Sequence, residues 1–350
     1  MLKFSTGNLF DAEVDALVNT VNTAGVMGKG LALQFKKGFP QNFRAYASAC
    51  KRGEVQIGKM FVFDAGGIVQ PRYIINFPTK THWRAKSKLE YVASGLDDLV
   101  CVIRDRKIKS IAVPPLGAGL GGLDWRRVRD VISAKLSNLE GVDVLVFEPK
   151  GAPPAESMPN RTVKPRMTPG RAAVIALMNR YFVPGYDYPL TVLEVQKLAY
   201  FLQEAGQPLK LNYTEEAFGP YADALRHVLN HLEGHYISGF ADGKNQPTTE
   251  LHLKAGAADE AEEFLKRDPE AQERLRRVAA LIEGFETPFG MELLATVHWV
   301  AKRDRKTAAS ISSTVKAVHE WNARKASTMK PQQIETAWSE LKEGGWLAVS

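Results

Sequence analysis

Two glycine-rich runs are the segments of this 350-residue chain best suited to hold a charged small molecule. Asn19-Thr20-Val21-Asn22-Thr23-Ala24-Gly25-Val26-Met27-Gly28-Lys29-Gly30 leads into an amphipathic stretch near Leu31, and Pro114-Pro115-Leu116-Gly117-Ala118-Gly119-Leu120-Gly121-Gly122-Leu123 leads into another near Asp124. Glycine lets a backbone turn tightly and approach a ligand without an intervening Cβ, and its N–H groups can line a diphosphate at the positive end of a helix. Two such loops could close over one diphosphate from opposite sides. Taken singly, each also reads as a plain turn between a strand and a helix. The first lacks the Gly-Lys-Ser/Thr ending of a nucleotide-hydrolase loop, because Gly28-Lys29-Gly30 is followed by Leu31. In the second, Gly117, Gly119 and Gly122 have dinucleotide spacing, but no acidic residue ends a strand about 20 residues later, which argues against a nicotinamide dehydrogenase.

The elements that must position these loops alternate in kind. Ala16–Asn19, Met60–Phe63, Tyr73–Asn76, Ser110–Val113 and Val142–Phe147 read as strands, and the stretches 31–38, 88–104 and 126–139 as helices. A sheet covered by helices on both faces is the economical solution, so the first domain, residues 1–150, is expected to be three-layer α/β/α. Pro149, Pro153, Pro154, Pro159, Pro165 and Pro169 then mark a stretch without periodicity, and residues 151–169 are expected to be a semi-rigid linker. Beyond it the pattern turns helical. Thr191-Val192-Leu193-Glu194 is a capping box with Gly206 at the far end, Gly219-Pro220 is expected to open a helix, and further helices are expected over 270–284, 291–302, 312–324 and 331–342. The second domain, 170–350, is therefore expected to be mainly α-helical.

Composition narrows the class. Hydrophobic residues make up 45% and charged residues 24%, as in a globular protein. The formal net charge of +7 is uneven: residues 1–150 hold 22 Lys plus Arg against 14 Asp plus Glu, whereas residues 151–350 hold 24 against 25. The excess of positive charge on the first domain suits a phosphate-bearing ligand or nucleic acid, and equally a solubilising surface. Cys50 and Cys101 cannot form a disulfide framework, the N-terminus has no signal-peptide pattern and no run reaches membrane-spanning length, so a cytoplasmic location without membrane contact is expected. No metal is expected. His227, His231 and His235 fall four apart, but no carboxylate completes a zinc motif, and the first domain holds only His82.

Gly7-Asn8-Leu9-Phe10, Val18-Asn19-Thr20-Val21-Asn22, Gly28-Lys29-Gly30-Leu31-Ala32, Phe77-Pro78-Thr79-Lys80 and Pro115 through Leu123, in this order, resemble the macrodomain family. The similarity is strongest to the branch holding the terminal ADP-ribose protein glycohydrolases and the bacterial DarG antitoxins. That resemblance implies ADP-ribose bound at the carboxyl ends of a mixed sheet, with no cofactor. Asn8 would lie at the adenine, its amide oxygen accepting from the amino group where many macrodomains use an aspartate. Asn22, with Gly28, Gly30 and Leu31 of the first loop, would lie beside the distal ribose, Gly117, Ala118, Gly119 and Leu120 would wrap the diphosphate, and Leu9, Thr23, Thr79 and Gly121 would also belong to the ADP-ribose site. Lys80 matches the lysine with which this branch removes ADP-ribose. It could protonate the leaving base, orient water, or attack the opened sugar as an amine with a lowered pKa. Without the resemblance it reads as a solvated lysine beside Lys86 and Lys88. The protein-directed enzymes pair their lysine with an aspartate where this chain has Gly121. Asp124 could substitute or could simply cap the following helix.

The DarG resemblance further implies a substrate, ADP-ribose on a thymine base of DNA, and a partner, the DarT-type ADP-ribosyltransferase toxin that makes the mark. Trp83, Arg84, Lys86 and Lys88 could hold such a strand, Trp83 by stacking on a base or, equally, as a packing residue at the rim. Val195 to Gln203 with Ala217-Phe218-Gly219-Pro220-Tyr221 resembles the SocA-like antitoxin domain, implying that the second domain binds and blocks the toxin. The 19 glutamates among the 25 acidic residues of 151–350 would suit mimicry of nucleic acid, or a solvated acidic surface. The expected function is an antitoxin that hydrolyses the glycosidic bond between ADP-ribose and DNA. The alternatives are a glycohydrolase for ADP-ribosylated protein or O-acetyl-ADP-ribose, and a non-catalytic ADP-ribose reader.

Overall fold

The apolar runs of the first 150 residues assemble into one sheet in a computed structural model, which describes residues 1–66, 70–149, 153–154, 157–181, 190–241 and 246–347. The chain divides into two units, residues 1–163 and those from Lys164 onward. In the first, β1 (Leu2–Ser5) is followed by a 3-10 turn (Leu9–Asp11), β2 (Ala16–Asn22), α1 (Gly30–Gly38), α2 (Pro40–Lys51), β3 (Phe61–Asp64), β4 (Tyr73–Lys80), α3 (Leu89–Asp105), β5 (Ser110–Val113), α4 (Trp125–Leu136) and β6 (Asp143–Phe147). Among the described residues the sheet order is β1-β6-β5-β2-β4-β3, with every neighbouring pair parallel except β3 and β4.

Alternation along the strands sends side chains to two cores. Ala16, Val18, Ile75, Phe77, Ile111 and Val113 pack with Val92, Leu96 and Leu99 of α3 and Val128 and Ile132 of α4. Leu17, Ile74 and Ala112 meet Phe35 of α1 and Leu9, while Val21 meets Tyr46 and Ala49 of α2. Burial on both faces is why these strands are almost continuously apolar. Close packing also fixes the strand that matters most for the site. A Cβ on Gly95 of α3 would lie 2.3 Å from the ring of Phe77, so only glycine lets the helix settle onto β4 three residues before Lys80.

Residues 157–161 of the proline-rich stretch lie against this unit. The Asn8 amide donates to the Ser157 carbonyl, Pro159 packs on Gly38, and the Arg161 backbone N–H donates to the Lys37 carbonyl at 2.9 Å. The expected boundary at residue 150, and residues 151–152 and 155–156, lie outside the described residues.

The second unit contains α5 (Pro169–Arg180), β7 (Leu190–Thr191), α6 (Val192–Glu204), β8 (Thr214–Glu216), β9 (Gly219–Tyr221), α7 (Asp223–Leu232), β10 (Ile237–Ser238), β11 (Glu250–Leu253), α8 (Ala257–Leu265), α9 (Pro269–Ile282), α10 (Pro288–Arg303), α11 (Arg305–Ala309), α12 (Ile311–Trp321), α13 (Ala323–Thr328) and α14 (Pro331–Glu343). The capping box forms as expected, with Thr191 and Glu194 exchanging hydrogen bonds at the start of α6. Gly219-Pro220 does not open a helix. It lies in the β8–β9 hairpin, where Pro220 faces Glu215 and its carbonyl accepts from the buried Lys197 ammonium at 2.7 Å. The helix expected over 312–324 is two helices, because Asn322 leaves helical geometry and its side chain caps α13. Beneath the hairpin lies a cluster of buried charge. Lys325 donates to Glu292 and to Thr296, and Arg324 shares the same carboxylate. Burial, with Lys325 nearby and only Glu292 opposing it, pulls Lys197 down to about 7. No helix among the described residues is long and apolar enough to cross a membrane.

Candidate active site

Three neighbouring parallel strands, β5, β2 and β4, end on the same edge of the sheet, and the loops beyond them carry most of the residues singled out by sequence. Carboxyl ends of adjacent strands are where an open α/β sheet leaves a crevice for ligands. Lys80 closes β4 between the two glycine loops. Its backbone carbonyl accepts from Thr23 N–H of the first loop at 3.0 Å, and its ammonium donates to the Leu120 carbonyl of the second at 2.6 Å. Partial burial lowers its pKa.

The first loop is braced from within. The Asn22 amide oxygen accepts from Ala24 and Val26 N–H, while its nitrogen donates to the Val26 carbonyl at 2.6 Å. Asn22 thus shapes the loop with its own side chain. From below, the fully buried Tyr46 of α2 donates its phenol hydrogen to the Asn22 carbonyl, beside the bulge where β2 shifts register against β4 and Asn22 comes opposite Lys80. One turn on, Cys50 packs under Gly25, and burial pushes its thiol pKa up. Gly30 and Leu31 begin α1, whose N-cap Lys29 makes no side-chain capping bond, so the first turn presents uncapped N–H groups beside Gly28.

The second loop is a tight double turn. Ala118 N–H donates to Pro115, Gly122 to Gly119 and Leu123 to Gly117, while Ser87 N–H reaches the Gly121 carbonyl. A Cβ on Gly121 would fall 2.1 Å from the Gly117 carbonyl oxygen and 2.4 Å from Ser87 Oγ. An aspartate therefore cannot occupy this position in this loop conformation. Asp124 caps α4, its carboxylate accepting from Arg126 N–H at 2.8 Å.

The remaining expected residues divide. Asn8 caps the 3-10 turn beyond β1, four strand spacings from β4, or about 19 Å along the sheet. Leu9 is buried in the core, and the buried Thr79 hydroxyl faces the Val21 carbonyl, so the side chains of both point away from an open crevice. Trp83 is exposed with the Arg84 guanidinium 4.3 Å from its ring centroid and the His82 ring beside it. Lys86 is exposed, and Lys88 pairs with Glu90 across 3.8 Å. In the second unit, His231 bonds the His227 carbonyl within α7, and no group of three or more metal-ligating side chains occurs among the described residues.

Sequence reasoning missed the buried asparagine set behind the loops. Asn19 of β2 donates to Asn76 of β4, which exchanges hydrogen bonds with Asn42 of α2 and also donates to the Phe61 carbonyl. It missed Tyr46 and Ser87 as well. The available signal was polar residues interrupting apolar strands, as in Ala-Leu-Val-Asn and Tyr-Ile-Ile-Asn, since a buried amide must find partners.

A Macro domain family model matches residues 18–132. A DNA ADP-ribosyl glycohydrolase of Thermus aquaticus is 52% identical over 347 residues, spanning 99% of this chain and 94% of that protein. One from Mycobacterium tuberculosis is 43% identical over 357 residues, covering 97% of this chain and 99% of that protein. A Thermosipho africanus DNA ADP-ribosyl transferase–DNA ADP-ribosyl glycohydrolase fusion protein is 35% identical over 163 residues, 42% of each chain.

Proposed function

The chain belongs to the DarG family of DNA ADP-ribosyl glycohydrolases, and from that premise we propose that it removes ADP-ribose from thymine bases of DNA and restrains the transferase that places it there. In the proposed complex the nucleotide spans the carboxyl ends of the strands. Adenine lies at Asn8 and the backbone of Leu9. The diphosphate lies between the uncapped start of α1 and the loop from Gly117 to Gly121, and the distal ribose lies against the first loop near Lys80. Water adds to the anomeric carbon as the bond to the thymine ring nitrogen breaks, and the Lys80 ammonium delivers the proton that this nitrogen needs to leave. Burial, by lowering the lysine pKa, makes it a better donor than a solvated ammonium. With Gly121 in place of a carboxylate, no side chain at that position is available to assist a covalent route.

The observation that carries the reading is Lys80 set between both glycine loops, its backbone carbonyl bound by the first and its ammonium by the second. Exposed Trp83, with Arg84 and Lys86 beyond it, would receive the strand on either side of the modified base, Lys88 adding charge at the margin. Toxin restraint is assigned to the second unit. The natural fusion of transferase and glycohydrolase in a relative supports the pairing, and the glutamates of this charge-balanced unit would be the groups to meet a toxin surface that grips DNA.

The test is release of ADP-ribose from a thymidine-modified oligonucleotide. Lys80→Ala is expected to lower turnover by at least about 100-fold while ADP-ribose affinity changes less than about threefold. Unchanged turnover would remove Lys80 from the chemistry. A wild-type protein that binds the oligonucleotide without releasing ADP-ribose would be a reader, and one that acts only on modified protein would have another substrate. Borohydride added during turnover should leave Lys80 unmodified, and an adduct there would make it the attacking amine. A pull-down with a catalytically dead co-encoded transferase should retain the full chain; failure to do so removes the restraint.

A further inference from the structure

Asn8 has four hydrogen-bonding positions on its carboxamide, and three have partners of fixed polarity. The amide nitrogen donates to the Asp11 carboxylate at 3.0 Å and to the Ser157 carbonyl at 3.2 Å, while the amide oxygen accepts from Phe10 N–H at 3.2 Å. An asparagine side chain can be turned over without changing its shape, so its orientation must be judged from its neighbours. Here the neighbours decide it: a carboxylate and a backbone carbonyl can only accept, and a backbone N–H can only donate. Both amide hydrogens are thereby occupied, and the position left over is one lone pair of the oxygen.

We propose that Asp11 and the Ser157 carbonyl, by occupying both donors of Asn8, make its carboxamide an acceptor-only group and so set the base specificity of the nucleotide site. This rests on the assignment of adenine to Asn8. A carboxylate at this position would be acceptor-only by its nature, whereas an unrestrained asparagine would offer a donor to a purine carbonyl as readily as an acceptor to a purine amine. The segment around Ser157 takes part because a local turn shapes it and its downstream end is tied to the unit. The Ser157 backbone N–H and hydroxyl donate to the Pro154 carbonyl, and Arg161 N–H is tied to Lys37 while its guanidinium lies 5.4 Å from the centre of the Phe39 ring. Residues beyond the sheet thus contribute a specificity determinant to it. A ligand with an amino group at purine position 6 is accepted, and one with a carbonyl there meets lone pair against lone pair.

The experiment compares affinities of the full chain for ADP-ribose and for inosine diphosphate ribose, in which a carbonyl replaces the 6-amino group. Wild type is expected to favour ADP-ribose by about tenfold, the scale of one hydrogen bond made or left unmade. Asp11→Ala frees one Asn8 N–H and should bring the two affinities within about threefold. Asn8→Asp in the Asp11→Ala background should restore the preference, because a carboxylate needs no neighbour to remove its donors. Asp11 is exposed and its side chain meets Asn8, so the thermal midpoint serves as a folding control. A wild type that fails to discriminate overturns the inference. So does an Asp11→Ala variant with the wild-type ratio when Asn8→Ala still weakens ADP-ribose, and in that case adenine remains at Asn8. If Asn8→Ala changes neither affinity, the adenine assignment fails and the inference falls with it.

Discussion

At Gly121 the absence of a side chain is a steric requirement of the loop as well as a departure from the protein-directed branch. The loop closes by bringing the Gly117 carbonyl and Ser87 Oγ into the space a Cβ would need, 2.1 and 2.4 Å away. Gly121→Asp should therefore lower the thermal midpoint and abolish turnover, failing to restore a lysine–aspartate pair. Gly119, with nothing within 4 Å of its Cβ position, should accept alanine with stability unchanged to within about 0.5 kcal/mol. Thermal unfolding of the two variants side by side checks both. Lys80 is legible through resemblance, and Asn8 and Gly121 are legible as departures from the family pattern. What the sequence could not disclose was how those departures are accommodated. The contacts responsible come from Ser87 and Ser157, each over 30 residues from the residue it serves. Single-residue reading also could not separate Asp124 as a cap from Asp124 as a substitute catalyst, whereas its bond to Arg126 N–H assigns it the capping role.

At the scale of elements, the active edge depends on α2, a helix that sequence reading passed over. Its buried residues Asn42, Tyr46 and Ala49 are few among polar neighbours, so the periodic signal is thin. Yet Asn42 anchors the buried asparagine set, and Tyr46 holds the carbonyl of Asn22 where β2 bulges beside β4. Tyr46→Phe keeps the ring and removes the hydroxyl. It should cost about 1–2 kcal/mol in urea unfolding by leaving a buried carbonyl short of a partner, and reduce turnover about tenfold by loosening the strand end that carries Lys80. Turnover equal to wild type would show that the bulge is held without the phenol. Helix α5 escapes sequence reading for the opposite reason: Ala172 to Met178 are buried on all sides, so no amphipathic stripe exists to be seen. β5, by contrast, runs from Ser110 to Val113 as expected, because polar Lys109 and Ser110 precede the apolar run and Pro114-Pro115, which cannot continue a central strand, follow it. The hairpin at Gly219-Pro220 reads as a helix start since Gly-Pro announces a turn without specifying the element after it.

At the scale of the whole molecule, the two units meet different demands on buried polar groups. The first places uncharged amides behind its loops, whereas the second buries ionisable side chains. His298 of α10 accepts the Tyr200 hydroxyl at 2.7 Å or donates to it, according to its tautomer, and burial, aided by Lys302, lowers its pKa to about 4. The unfolded chain, with histidine near 6.5, binds the extra proton first, so this group's contribution is complete above pH 6.5 and is lost as pH falls toward 4. The loss amounts to about 3 kcal/mol. His298→Gln should flatten that part of the dependence of the urea midpoint on pH, and a variant that tracks wild type would disprove it. Lys197 acts in a separate range: with a folded value of about 7 against 10.5, its protonation opposes folding as pH drops from 10.5 to 7. Lys197 and Lys325 are also nearly sealed from solvent, at 2% and 0% exposure. An acylating reagent applied to the intact fold would consequently spare both amines while labelling the surface lysines. A mass tag found on either one would thus record that its molecule had once come open, giving the second unit an internal register of its own unfolding history.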